Sequence, residues 1–115
     1  MFGLKEKHIE ALHGCFSLFE TIERVIIYGS RAKGNFKPGS DIDLTIVGDL
    51  PYSQLLKLEN QLDDLLLPYK IDLSLLHQIS NRDLIEHIER VGKVLYDRER
   101  KIAFHEPPID YKKDE

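Results

Sequence analysis

Val25-Ile26-Ile27-Tyr28-Gly29-Ser30-Arg31-Ala32-Lys33-Gly34-Asn35-Phe36-Lys37-Pro38-Gly39-Ser40-Asp41-Ile42-Asp43-Leu44-Thr45-Ile46-Val47 is the stretch that decides the fold. Its two ends are apolar and β-branched, which predicts buried strands at about 24–28 and 41–47. Between them lie two turn signals. Gly29-Ser30 follows the first strand directly, and Lys37-Pro38-Gly39-Ser40 returns the chain to a second strand that opens with Asp41-Ile42-Asp43.

Each half of this segment suggests its own chemistry. Glycine permits positive φ and close backbone approach, so a turn at Gly29 can aim N–H groups at a phosphate. Ser30 adds a hydroxyl donor, and Arg31 and Ser40 are further candidates to hold a nucleotide's phosphates. A short helix opening within 30–36 would add partial positive charge to the same place. On the second strand, residues two apart point to one face, so Asp41 and Asp43 project together, with Cα atoms about 6.6 Å apart. Two carboxylates at that separation suit one divalent metal or a metal pair, and hard oxygen ligands favour Mg²⁺, with Mn²⁺ as the alternative. Without a cation they repel. Ile42, facing the other way, anchors the strand in the core. A lone Gly-Ser turn or a lone Asp-x-Asp is commonplace; their combination, with ten residues between Ser30 and Asp41 and strands on both flanks, is specific.

A third carboxylate stands in Tyr69-Lys70-Ile71-Asp72-Leu73-Ser74-Leu75-Leu76, an alternating run that predicts a strand over about 70–76. Ile71, Leu73 and Leu75 share one face; Asp72 and Ser74 share the other. A charge within such a strand is costly to bury without a partner, and a metal shared with Asp41 and Asp43 would supply one.

With these residues in place, the chain resembles the nucleotidyltransferase superfamily, whose signature is Gly-Ser, about ten residues, then Asp-x-Asp. It is most similar to the minimal nucleotidyltransferases, small proteins paired with HEPN-domain toxins as antitoxins. The core of the match is residues 24–44, with compatible features over 4–97. The resemblance implies an α/β (α+β) fold with a mixed four-stranded sheet flanked by helices. It also implies Mg²⁺-dependent transfer of NMP from a nucleoside triphosphate, ATP by preference, to an acceptor hydroxyl. Asp41, Asp43 and Asp72 would then be the catalytic metal ligands. Gly29 and Ser30, with Arg31 and Ser40, would hold the nucleotide. The acceptor it implies is a tyrosine of a HEPN-type partner, in a hetero-oligomer or between two copies. Two other readings stay open: a nucleotide-binding or steric antitoxin without chemistry, and a nucleotidyltransferase acting on an antibiotic hydroxyl.

The remaining sequence sets bounds. The 115 residues suit one domain, expected over 1–104, with the polar, proline-containing 105–115 as a flexible tail. Hydrophobic residues make up 42% and charged residues 31%, ordinary for a globular protein. No apolar run approaches the roughly 20 residues of a membrane helix, and Lys5, Glu6 and Lys7 stand where a signal peptide needs apolar residues, so a cytoplasmic location and no membrane partner are expected. A net charge of −4 argues against broad nucleic-acid binding, while Arg31, Lys33 and Lys37 leave the local field favourable to one nucleotide. Cys15 is the sole cysteine and reads as a buried structural thiol.

Outside the motif, apolar spacing predicts a helix over 4–19. A second helix, capped by Ser53 and ending by Leu67 before Pro68, carries Leu55, Leu58, Leu62, Leu65 and Leu66 inward. Ser80-Asn81-Arg82-Asp83 reads as a capping box opening a third, with Leu84, Ile85, Ile88 and Val91 inward. Gly92 stops that helix and Lys93-Val94-Leu95-Tyr96 forms a last strand. The five histidines show no pairing at metal-ligand spacing with the cysteine; His77, just after the third strand, could face the site but reads as a surface residue. Asp97-Arg98-Glu99-Arg100 reads as a solvated charge run.

Overall fold

The computed structural model describes residues 1–99. The expected tail over 105–115, and the end of the domain at 104, lie outside the described residues. Helix α1 (Glu6–Ser17) leads into β1 (Ile22–Tyr28), and the short α2 (Gly29–Lys33) and a loop lead to β2 (Ile42–Gly48). Helix α3 (Tyr52–Asp64), β3 (Ile71–Leu75), a single 3-10 turn at Leu76–Gln78, α4 (Arg82–Val91) and β4 (Lys93–Asp97) complete the chain.

The strands form one mixed sheet in the order β3-β2-β1-β4. β1 is antiparallel to both β2 and β4, and β2 is parallel to β3. A parallel pair needs a crossover longer than a hairpin turn, and α3 is that crossover. The alternation of side chains gives the sheet two faces. On one, Val25, Ile27, Ile42, Leu44 and Ile46 are fully buried with Ile9, Leu12 and Phe16 of α1 and Leu58 of α3. Tyr28, Ile26, Asp43, Thr45, Asp72 and Ser74 occupy the other face, and α4 packs on its β1 side. The apolar face therefore carries the core, and Asp43 and Asp72 stand on the opposite one.

Each predicted element is present, with displaced ends. Helix α1 stops short of Leu4 and Phe19, which are nonetheless buried where the chain enters and leaves it. Helix α3 starts at Tyr52 on a Pro51 N-cap with no side-chain cap, so Ser53 lies inside the first turn rather than at its cap. It ends at Asp64, and Leu66 beyond it takes φ 54° and turns out to 86% exposure, not inward. Helix α4 is capped by Asn81, whose side chain accepts from Leu84 N–H at 3.1 Å, in place of Ser80. Of its inward residues Ile88 is buried, and Leu84, Ile85 and Val91 are half-buried.

Gly92 does end α4, but in an extended conformation (φ −62°) that any residue adopts. Its lack of a side chain answers a different need, since a Cβ there would run into the Ile88 carbonyl and stand 2.8 Å from Ile26 Cγ2. Arg98 departs from the solvated reading too. Its guanidinium donates to the carbonyls of Ile22, Ser17 and Phe19, tying the end of the sheet to the end of α1.

Helix capping is directly testable. Asn81→Ala should lower stability by about 1 kcal/mol in urea unfolding, the usual worth of an N-cap side chain. Ser53→Ala and Ser80→Ala should each stay within about 0.5 kcal/mol.

Candidate functional site

Strand register brings the predicted residues together. Tyr28 pairs with Asp43 across β1–β2, and Asp43 pairs with Asp72 across β2–β3. The three stand in one row across three adjacent strands, their side chains on the face opposite the core. Asp41 lies just before β2, two residues from Asp43, and is exposed. The N–H of Ile42 donates to Lys70 carbonyl at 2.8 Å, which locks the start of β2 to the start of β3 and sets this register.

The Gly29-Ser30 turn joins the row from the end of β1. Gly29 opens α2 with φ 74°, and a Cβ built on it would collide with the Asp43 carboxylate. The carboxylate thus rests directly against the Gly29 backbone. Ser30 follows, half-buried, and α2 closes at Gly34 with the N–H of Gly34 donating to Ser30 carbonyl at 2.9 Å.

Arg31 is placed differently from its expected role at the phosphates. It is 2% exposed, and its guanidinium donates to the carbonyls of Phe2 (2.9 Å), Pro38 (3.2 Å) and Ser40 (2.9 and 3.1 Å). The same group lies over the rings of Phe36 and Tyr69, 5.2 and 4.7 Å from their centroids. Delocalised, planar and rich in donors, it binds the loop before Asp41 to the N-terminal segment, and so acts on the site by holding that loop. Ser40 belongs to the same device: its hydroxyl accepts from Lys37 N–H at 2.8 Å and its carbonyl accepts from Arg31. Lys33 and Lys37 stay exposed and keep the loop positively charged.

One residue was passed over in the sequence. His87 of α4 reaches the turn, and its Nε2 accepts the N–H of Gly29 at 3.2 Å while its ring meets that of Tyr28 edge-on, centroids 6.1 Å apart. The two residues are 58 positions apart, and a lone histidine on an amphipathic helix carries no spacing signal.

The electrostatics of the row are strained. Desolvation raises the pKa of Asp43 above its ordinary 3.8, the charges of Asp72 and Asp41 raise it further, and a charge on His87 opposes them. The phenol of Tyr28 is also pushed up, chiefly by burial, against a hydrogen bond with Ser74, with Asp43 and Asp72 adding to the rise. Ser74 in turn donates to Thr45 Oγ1 at 3.0 Å, so hydroxyls line the face beneath the carboxylates. Among the described residues, no group of three or more His, Cys, Asp or Glu side chains is arranged to hold a metal ion. The row suits a divalent cation nonetheless: its donors are all hard oxygens, and the like-charge repulsion on Asp43 is what an added cation would relieve.

The family model described as polymerase beta, nucleotidyltransferase, matches residues 10–101. No curated protein sequence matches. Among solved structures, a toxin–antitoxin with AMP-PNP shares 22% identity over 84% of this chain and 77% of that one, with a TM-score of 0.62. A tri-AMPylated Shewanella oneidensis HEPN toxin in complex with MNT antitoxin shares 16% over 84% and 76%, with a TM-score of 0.61. The toxin–antitoxin MntA–HepT also shares 16%, over 84% and 75%, with a TM-score of 0.59. At these identities the likeness is one of fold.

Two expectations follow. A carboxyl whose folded-state pKa is raised costs stability once ionised, so that cost is absent at low pH and grows as pH rises through the range just above 3.8. Asp43→Asn removes it. In protein stripped of divalent cations the variant should melt a few degrees above the parent at pH 7, the gap closing toward pH 3. Arg31→Met, which takes the donor from the carbonyls of Phe2, Pro38 and Ser40, should cost about 3 kcal/mol in chemical unfolding.

Proposed function

The chain belongs to the polymerase beta nucleotidyltransferase family, and on that premise we propose that it transfers AMP from ATP to a hydroxyl of a partner protein. The observation that carries this reading is the contact of the Asp43 carboxylate with the Gly29 backbone. It sets a phosphate turn and the carboxylate row at one point, as nucleotide transfer requires.

Asp41 and Asp43 would hold Mg²⁺, with Mn²⁺ able to substitute, and Asp72 would complete the ligand set. When bound, the metal supplies charge neutralisation for the triphosphate and the departing pyrophosphate. The Ser30 hydroxyl and N–H bind the β- and γ-phosphates in the turn that Gly29 shapes, and Ser40 keeps the loop before Asp41 in place. The acceptor oxygen attacks the α-phosphorus, the bond from that phosphorus to the bridging oxygen breaks, and pyrophosphate leaves. As the alternative to that ligand role, Asp72, the exposed end of the row, would take the acceptor's proton. Catalysis of this kind rests on alignment and charge.

For the acceptor we favour a tyrosine of a HEPN-type toxin, which makes the chain an antitoxin in a hetero-oligomer. The supporting facts are the sequence resemblance and the shared fold with the antitoxin complexes above. A cytoplasmic location agrees with the ATP requirement, and no described helix is long and apolar enough to cross a membrane.

The protein, MgCl₂, ATP labelled at the α-phosphate and a purified HEPN partner should yield label on the partner. Asp43→Asn should reduce transfer by about 100-fold or more with the fold intact by circular dichroism. An unlabelled partner that still binds the chain would refute transfer and leave a steric antitoxin.

A further inference from the structure

We propose that His87 is a positioning residue for the nucleotide, acting through the Gly29 turn. This rests on the nucleotide-transfer reading and adds a residue from outside its motif. Gly29 is held from two sides. The Asp43 carboxylate blocks the place of a side chain, and the imidazole of His87 takes its N–H at 3.2 Å. A backbone N–H bonded to a ring nitrogen is not offered to a phosphate, so the donors to the β- and γ-phosphates begin at Ser30. Gly29 contributes shape, and His87 keeps that shape.

The imidazole is suited to the task because its own position is constrained. Ile88, next to it in α4, is buried, the helix is capped by Asn81 at its start, and its last turn closes tightly at Gly92 against Ile26 of β1. The ring of His87 meets Tyr28, the residue that precedes Gly29 and heads the carboxylate row. Helix α4 thus clamps both residues at the end of β1. Without the acceptor nitrogen, the Gly29 N–H would lose its partner, and a glycine at φ 74° leaves the turn room to shift. Ser30 would then sample positions away from the phosphates, which weakens nucleotide binding more than it slows the chemical step.

The test compares His87→Phe, which keeps a ring against Tyr28 but has no acceptor, with His87→Gln, whose Oε1 can accept from Gly29. Phe should raise the KM for ATP about tenfold, the worth of one hydrogen bond, with kcat within about threefold. Gln should bring KM back to within about threefold of the parent. Calorimetric binding of AMP-PNP with Mg²⁺ should show the same order, and thermal melts of both variants should lie within a few degrees of the parent. Parental KM and affinity in His87→Phe would overturn the inference alone, as would equal impairment in both variants, which would assign the effect to the ring. A parent that neither binds AMP-PNP with Mg²⁺ nor transfers AMP overturns this inference and the functional reading together. In case His87→Phe does not fold, ¹⁵N NMR of the parent gives a direct check: coupling across the hydrogen bond between Gly29 N and His87 Nε2 is expected, and its absence refutes the clamp.

Discussion

The carboxylate of Asp43 lies where a side chain on residue 29 would have to be, and most of the site's geometry follows from that contact. It requires glycine at the end of β1 and lets φ reach 74°, which turns the chain into α2. It also demands that β1 and β2 pair in one register, because a slip of one residue would send Asp43 into the core and Ile42 or Leu44 onto the open face. The parallel pairing of β2 with β3 then sets Asp72 beside Asp43 without further instruction.

Such a face is expensive. Burial and two neighbouring carboxylates all disfavour the charged form of Asp43, and the hydroxyls of Ser74 and Thr45 bond to each other beneath it. The other face of the sheet offsets the expense with a continuous apolar core drawn from α1, α3 and all four strands. Division of labour between faces is what a mixed sheet offers a small domain. One side holds the fold together, while the other stays polar and reactive.

Two long-range devices keep the site in shape, and neither belongs to the signature motif as a ligand. Arg31 gathers three backbone carbonyls from the loop and the N-terminal segment and stacks between two rings, so the approach to Asp41 is held by a buried cation. His87 does the corresponding work for Gly29. The sequence suggested for Arg31 a direct part at the phosphates, because an arginine after Gly-Ser looks like a phosphate ligand. Its burial reverses that reading. For His87 the sequence held nothing to read, since α4 approaches the turn only after the chain has crossed from β3 to the far edge of the sheet.

Local physics made much of this protein legible from its residues. Strand alternation, the Gly-Ser turn and the two-residue spacing of the aspartates are short-range patterns, and they determined the number, order and type of elements and the face on which Asp43 and Asp72 stand. Element ends were less legible, because Ser53 against Pro51, or Ser80 against Asn81, is a competition between nearby caps settled by packing. Only the tertiary structure decided the order of the strands, the contact of Asp43 with Gly29, the burial of Arg31 and the arrival of His87. Each depends on groups far apart in the chain, where side-chain volume and hydrogen-bond geometry, rather than periodicity, select the arrangement.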